Sequence, residues 1–151
     1  MIITNNEAAL RVECANVIPE EIGELRELLE QELINSARLG RFGIGLALPQ
    51  IGIAKKMAIV RIPTQDGNEI KIDLVNAQIE KSYDLITFQD EGCLSFPGRV
   101  ETTKRFNEIY ITNNLIRPGS FIATGLTAIV IQHELDHLNQ NYFLIIQYLR
   151  N

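Results

Sequence analysis

One short pattern constrains this chain more than any other: two histidines four residues apart, at the end of an apolar segment. His133 and His137 are the only histidines among the 151 residues. An α-helix turns about 100° per residue, so His137 lies about 40° around the helix axis from His133 and one turn further along. Both imidazole rings can then reach one metal ion. The pattern therefore predicts a metal-binding helix.

Two carboxylates lie inside the same pattern. Glu134 and Asp136 project about 80° to either side of the line between the histidines, so helix geometry alone does not choose between them. A glutamate directly after the first histidine is the recurrent arrangement in metal hydrolases, and on that ground we assign the catalytic carboxylate to Glu134. The residues before the pattern are apolar and indicate a buried helix: Leu126, Ile129, Val130 and Ile131. Buried polar groups need partners, which favours a metal site over an idle motif.

A hydrolytic metal centre also needs a third protein ligand and one open position. There is no third histidine, so this ligand is either a carboxylate or Cys93, and spacing does not decide between them. Two other classes compete with such a hydrolase. A zincin metalloprotease takes its third ligand from downstream, but the 14 residues after His137 (151 minus 137) contain no histidine, cysteine, aspartate or glutamate. The other alternative is a non-catalytic metal-binding or interaction protein, which would release no product.

Composition bounds the class of protein. Hydrophobic residues make up 46% and charged residues 22%, which predicts a single folded domain over residues 1–151. A net charge of -5 gives no general reason to bind nucleic acid, and no apolar run reaches the ~20 residues of a membrane span. Two cysteines do not make a disulfide framework. We therefore expect a reducing compartment: the cytoplasm, or an organelle if a transit peptide has been removed.

Periodicity and turn residues predict an α+β fold. Helices are expected at residues 19–39, closed by Gly40, and at 124–138, with Thr124 as the capping residue. Strands are expected at 57–61, 69–75, 82–88 and 108–112, after a glycine-rich loop at 43–52. Residues 139–151 are expected to form a short strand or a frayed end. The architecture is short antiparallel strands, in sheets packed around the helix that carries the metal motif.

Three segments resemble the sequence motifs of peptide deformylases. They are GIGLALPQ at residues 43–50, EGCLS at 91–95 and QHELDH at 132–137. The segments occur in the order and at the spacing of that family, and a weaker likeness begins around residues 6–17. The resemblance implies a hydrolase that removes the N-formyl group from the N-terminal formylmethionine of newly synthesised polypeptides and releases formate. It also implies a fold in which strands surround the motif-bearing helix.

The same resemblance implies a ligand set of Cys93, His133 and His137, with water in the fourth position. It implies Fe(II) as the native ion, with Zn(II), Ni(II) or Co(II) as substitutes. The sequence itself does not choose among these metals. A buried ion pair between Glu91 and Arg105 is a further implication, because a carboxylate two residues from Cys93 needs a partner if it is buried.

Catalytic roles follow from the chemistry of formamide hydrolysis. A bound metal lowers the pKa of water from about 15.7 towards roughly 7, and Glu134 acts as general base and then general acid. The Gln50 side-chain amide and the Leu94 N–H are expected to stabilise the oxyanion. Gly43 and Gly45 let the backbone approach the substrate, to which Gly45 offers main-chain hydrogen bonds. Four apolar residues are expected either to form a methionine pocket or to serve as ordinary core: Ile44, Leu126, Ile129 and Val130.

Two departures from the family pattern bear on substrate and partners. Leu48 stands where alanine is usual, and we expect it to crowd the loop beside the active site. The 14 residues after His137 (151 minus 137) resemble the short forms, viral members among them, that lack the C-terminal helix used by some members to contact the ribosome. We therefore expect a monomer that acts on N-formyl-methionyl nascent peptides, with only transient proximity to the ribosome.

Overall fold

The computed structural model describes residues 1–139, and it confirms the predicted α+β architecture. The helices are α1 (Glu7–Leu10), α2 (Ile22–Arg38) and α3 (Gly125–Leu138), with 3-10 turns at Pro19–Glu21 and Leu48–Ile51. The strands are β1 (Gly45–Ala47), β2 (Met57–Pro63), β3 (Glu69–Val75), β4 (Gln78–Gly92), β5 (Val100–Thr112) and β6 (Ser120–Thr124). The prediction for residues 140–151 lies outside the described residues.

Two antiparallel sheets enclose α3. The first has the strand order β1-β2-β3 and the second β4-β5-β6. Helix α3 contacts β1 and β2 of the first sheet and β5 and β6 of the second. From Ala128 to Leu138 every residue of α3 except Asp136 is buried. The predicted central helix is therefore confirmed.

Strand β2 separates two cores. Successive strand side chains point to opposite faces of a sheet. Ala58 and Val60 accordingly join the cluster around α3, whereas Met57 and Ile59 join a cluster with Leu29 of α2. The first sheet thus lies between α2 and α3, which fixes β1 beside the histidine-bearing helix.

Helix α2 follows the predicted limits, with its first three predicted residues forming a 3-10 turn. The predicted stop is confirmed, since Gly40 adopts a positive φ of 81°. The predicted cap of α3 is wrong in its chemistry. Thr124 lies at the N-cap position, but its side chain makes no capping hydrogen bond. Gly125 begins the helix with a φ of 60°, so the chain enters α3 through a left-handed residue rather than through a hydroxyl cap.

The strand predictions were right in place but short in extent. Strand β3 has the predicted limits, and β2 extends two residues further. Strands β4 and β5 span 15 and 13 residues and were recognised only in part. Strands β1 and β6 and the short α1 were not predicted. Most of β4 is exposed and its pairing is interrupted twice, at Ile79/Lys81 and Phe88/Glu91, so no clean alternation marks its length.

Candidate active site

A thiol and two imidazoles meet between the end of β4 and helix α3. The ligand atoms of Cys93, His133 and His137 all lie within 4.8 Å of one another. Cys93 Sγ is 3.4 Å from His137 Nε2, and the two histidine rings are 5.1 Å apart at their centroids. A tetrahedral ion with bonds of ~2.0–2.3 Å places its ligands about 3.5 Å apart. The three donors therefore fit a single metal ion.

A buried ion-pair network orients His133. Glu91 accepts hydrogen bonds from Thr103 Oγ1 at 2.8 Å and from Arg105 Nε at 2.8 Å, and Arg105 Nη2 makes a second contact with it. The predicted pairing of Glu91 with Arg105 is confirmed. Arg105 Nη1 also reaches Asp136 Oδ2 at 2.5 Å. Because the carboxylate of Glu91 is an acceptor, His133 Nδ1 donates its proton to it over 2.8 Å, and His133 Nε2 stays available as a ligand.

The network also sets the charge of Glu91. Burial by itself would raise the pKa of Glu91, but the hydrogen bonds from Arg105 and His133 hold that pKa well below its usual range. Burial likewise opposes the charge of Arg105, and the contacts with Glu91 and Asp136 nevertheless raise the pKa of the guanidinium. Both partners of this buried pair are therefore charged at neutral pH.

Glu134 faces the cavity without such a partner. Its side chain is 3% exposed, and its Oε1 has no hydrogen-bond partner within residues 1–139. Burial raises the pKa of Glu134 to about 7, against the opposing charge of His133. A carboxyl group with a pKa near the working pH can both accept and return a proton. The structure thus places Glu134 at the cavity and Asp136 on Arg105, which separates the two carboxylates that helix geometry left equivalent.

Gly45 of β1 packs directly against Glu134. A Cβ placed on Gly45 would collide with Glu134 Oε2 and lie 3.0 Å from its Cδ. Gly43 has a similar restriction, since a Cβ there would lie 2.5 Å from Leu94 Cδ1. The chain at Gly43 and Gly45 thus approaches Leu94 and Glu134 closely, and a larger residue at either position would displace one of these side chains.

Gln50 reaches the donors from the 3-10 turn after β1. It is 1% exposed, and its Oε1 accepts from the Ala47 N–H at 3.0 Å. That bond directs Nε2 towards Ser95 Oγ at 3.0 Å and Cys93 Sγ at 3.6 Å. The Leu94 N–H makes no backbone hydrogen bond within the part of the chain that the structure describes. Two N–H donors, from Gln50 Nε2 and the Leu94 backbone, thus lie next to Cys93.

A cavity of about 550 Å³ opens beside these groups. All six predicted substrate contacts line it: Gly43, Ile44, Gly45, Leu126, Ile129 and Val130. Ile129 and Val130 are buried, and Leu126 is 46% exposed. Sequence reasoning missed other lining residues, among them Phe42, Phe88 and Arg99. Phe42 and Arg99 lie within a few residues of the recognised motifs, and nothing in the sequence distinguished them from surface residues.

Strand β1 leaves one edge open to this cavity. It is the outer strand in the order β1-β2-β3. The Ile44 carbonyl accepts from the Arg61 N–H at 2.8 Å and therefore faces β2. Because neighbouring residues of a strand turn their polar groups to opposite sides, the N–H and C=O of Gly45 face the open edge. An extended peptide can pair with Gly45 there.

The expectation that Leu48 crowds the active-site loop is wrong. Its side chain is fully buried in the cluster formed with Leu29 and Met57, and it is absent from the lining of the cavity. The 3-10 turn directs Leu48 towards α2, while Gln50, two residues on, is directed towards Cys93.

The α+β scaffold, the three convergent donors and the adjacent buried glutamate define a metal-dependent hydrolase. The family model for polypeptide deformylase matches residues 1–147. The chain is 38% identical over 128 residues to the peptide deformylase of Thermodesulfovibrio yellowstonii, covering 83% of this chain and 75% of that protein. This chain belongs to the polypeptide deformylase family, as its three motifs predicted.

Solved structures agree with this assignment. A probable peptide deformylase from Synechococcus phage S-SSM7 superposes with a TM-score of 0.79 at 31% identity, over 93% of this chain and 94% of that one. A class I type b peptide deformylase from Acinetobacter baumannii, solved with Met-Ala-Ser bound, superposes with a TM-score of 0.74 at 26% identity, over 93% and 92%. The expected likeness to viral members is thus confirmed.

Proposed function

We propose that this chain performs the reaction of its family with Glu134 as the proton-transfer group and with Cys93, His133 and His137 holding one divalent ion. Family membership makes it a hydrolase that removes the N-formyl group from nascent peptides and releases formate. The observation that carries the proposal is the buried carboxylate of Glu134, which has an unpartnered oxygen and lines the same cavity as two of the three donors.

One divalent ion supplies, when bound, a Lewis acid and a water molecule of lowered pKa. We propose Fe(II) as the native ion, with Zn(II), Ni(II) or Co(II) as substitutes. A thiolate with two imidazoles suits this group of metals better than it suits magnesium or calcium. The hydrogen bond from His133 Nδ1 to Glu91 supports the ligand role of His133, because a fixed tautomer and ring orientation strengthen a histidine ligand.

Glu134 takes the proton of the attacking water and returns it to the leaving amine. Its pKa of about 7, raised by burial, lets it hold the proton for part of the cycle. Gln50 Nε2 and the Leu94 N–H donate hydrogen bonds to the formyl oxygen as it becomes negative. The bond between Gln50 Oε1 and Ala47 fixes the amide, so that little reorganisation is needed during the reaction.

The substrate peptide binds as an extended strand along β1. Gly45 offers its N–H and C=O to the peptide backbone, and the methionine side chain enters the apolar part of the cavity formed by Ile44, Ile129 and Val130. Gly43 lies close to Leu94 without a side chain of its own, and Leu126 adds a partly exposed apolar side chain to the cavity lining. The Acinetobacter baumannii relative was solved with Met-Ala-Ser bound, which has the chemistry of a deformylated peptide.

We further propose that the enzyme acts as a monomer in a reducing cytoplasm, in transient proximity to the ribosome, without binding nucleic acid or membrane. The net charge of -5 supports the first exclusion. Within residues 1–139 no helix is long and apolar enough to cross a bilayer. Both cysteines are free, as a reducing compartment requires.

Formate release from formyl-Met-Ala-Ser tests the proposal. The protein is loaded anaerobically with Fe(II) or Ni(II) and assayed with its Glu134→Gln variant. We expect Glu134→Gln to retain metal and lose at least about a hundredfold in kcat/KM, in line with the loss of a general base. Glu20→Gln, on the exposed turn before α2, is the matched control and should keep full activity. Full activity of Glu134→Gln with metal bound would exclude the assigned role.

A further inference from the structure

A tight turn places one arginine on the wall of the substrate cavity. Residues 96–99 read Phe-Pro-Gly-Arg, with Gly98 at a φ of 76° and the Arg99 N–H donating to the Phe96 carbonyl at 3.3 Å. Proline at the second position and glycine with positive φ at the third are the residues of a type II turn. Phe96 is fully buried, and Phe96 and Arg99 both line the cavity. The turn therefore holds Arg99 at a defined position.

The guanidinium of Arg99 has unmet hydrogen-bonding capacity. Its Nε and Nη2 are shielded from solvent and have no hydrogen-bond partner within residues 1–139. Its Cζ lies 5.8 Å from the centroid of the Phe96 ring, which supports the cation from one side. Arg105, the other arginine near the donors, is by contrast fully engaged by Glu91 and Asp136. Donors left without partners in this way cost free energy until an acceptor reaches them.

The other charged groups of the cavity leave Arg99 uncompensated. Glu91 is held by Arg105, and Glu134 lines the cavity with its carboxylate against Gly45. Asp90 and Arg41 lie at the exposed rim. Asp90 makes no ion pair with Arg99 in the described part of the chain, and Arg41 is itself a cation. The wall at Arg99 thus presents a positive charge to whatever peptide occupies the cavity.

We propose that Arg99 is a specificity-determining residue, which binds an acidic side chain at the second or third position of the substrate peptide. The proposal rests on the proposed function. Nε and Nη2 form the edge of the guanidinium that offers two parallel N–H groups, and a carboxylate matches that edge with both oxygens. A backbone carbonyl fills only one of the two donors. Because both nitrogens are shielded from solvent in this structure, the outer bonds of the side chain must rotate for this edge to meet a carboxylate in the cavity.

Peptide binding tests the inference separately from turnover. Nickel-loaded Glu134→Gln protein is titrated calorimetrically with formyl-Met-Glu-Ser, formyl-Met-Ala-Ser and formyl-Met-Lys-Ser, and with the series that varies the third residue. We expect the acidic peptide to bind about tenfold more tightly than the lysine peptide at one of the two positions, the fold-change typical of a hydrogen-bonded charged pair. The preference should shrink as salt is raised.

Variants of Arg99 assign the preference to its side chain. Arg99→Gln should abolish it, Arg99→Lys should retain part of it, and Arg99→Glu should reverse it in favour of lysine. Arg38→Gln removes the same charge from the exposed end of α2, away from the cavity lining, and should leave the preference intact. Thermal unfolding and nickel content confirm that each variant is folded and loaded.

Three results would overturn the inference: equal binding of acidic and basic peptides, a preference that survives Arg99→Gln, or an equal loss for all peptides in that variant. An equal loss for all peptides would indicate that Arg99 contacts a backbone carbonyl of the peptide. Failure of the proposed function is a different result, namely no formate from any formyl peptide with the unmodified enzyme.

Discussion

Removing the side chain of Arg105 is expected to destabilise the protein more than any surface change. Arg105 is 2% exposed and bonds to Glu91 through two nitrogens and to Asp136 through a third. Arg105→Ala removes a cation that two mostly buried carboxylates share. Breaking a buried pair from one side costs about 3–5 kcal/mol. In a chain of this length each kcal/mol lowers Tm by about 2–4 °C, so a fall of about 6–20 °C is expected.

Urea unfolding of the metal-free protein measures this loss directly. The matched control is Lys104→Ala, the exposed neighbour on β5, whose Nζ bonds to Thr87; it should cost less than about 1 kcal/mol. A second measurement introduces Arg105→Ala into the Glu91→Gln variant, in which residue 91 is a neutral amide and carries no negative charge. The loss should then shrink by about 1–3 kcal/mol. A loss equal to that of Lys104→Ala, or no coupling with Glu91, would refute the reasoning.

The same variant changes the acid stability. The pKa of Glu91 is lowered in the folded protein from an ordinary 4.5, so its contribution is complete above pH 4.5 and is lost as the pH falls through the folded value. Without Arg105 the folded pKa of Glu91 must rise, because burial then dominates. Acid unfolding should therefore begin at a higher pH in Arg105→Ala than in the unmodified protein, as circular dichroism across a pH series would show.

Four further expectations follow from the site. Gly45→Ala should reduce kcat/KM for formyl-Met-Ala-Ser by at least about a hundredfold, since the new Cβ meets the Glu134 carboxylate. The control is Gly23→Ala on α2, where the added Cβ meets open space. It should keep activity and add up to about 1 kcal/mol to the free energy of unfolding. Since Glu134 acts ionised and burial raises its pKa, kcat/KM should fall tenfold per pH unit below the pKa that Glu134 has in the metal-bound enzyme, which the charge of the ion lowers from about 7. The absence of any acid limb above pH 4.5, the ordinary pKa of a glutamate, would contradict this. Leu48→Ala should cost about 2–5 kcal/mol in urea unfolding with unchanged preference among formyl peptides, because Leu48 lies outside the cavity. Cys93→Ser should lose bound metal on dialysis, as measured by atomic absorption. The control Cys14→Ser should retain the metal.

The parts of the fold that sequence predicted are those with strong periodicity. Helix α2 has apolar residues at helical spacing between a proline and Gly40, and β3 ends at turn residues on both sides. Only residues 82–88 of β4 are predicted from sequence, because most side chains of β4 are exposed and two irregularities interrupt its pairing with β5. The sequence predicts a loop where β1 lies, since three residues carry no recognisable pattern and form a strand by pairing with β2.

The site was predictable where chemistry restricts the residue type. Two histidines at helical spacing identified α3 without any structure, but the third ligand needed either family likeness or coordinates. Helix geometry left Glu134 and Asp136 equivalent, and tertiary structure separated them because Arg105, from β5, reaches only one. Arg99 escaped notice since arginine in a turn resembles any surface cation until its surroundings are known.

The polar side chains of α3 differ in whether their buried atoms have hydrogen-bond partners. Gln132 exchanges hydrogen bonds with both backbone groups of Phe106, which ties the helix to β5. His133 is held by Glu91, and the carboxylates of Glu91 and Asp136 are both held by Arg105. Glu134 alone among the three carboxylates has a buried oxygen without a partner in the described chain. Because native structures satisfy nearly all such groups, this oxygen is a place where an incoming proton donor is to be expected.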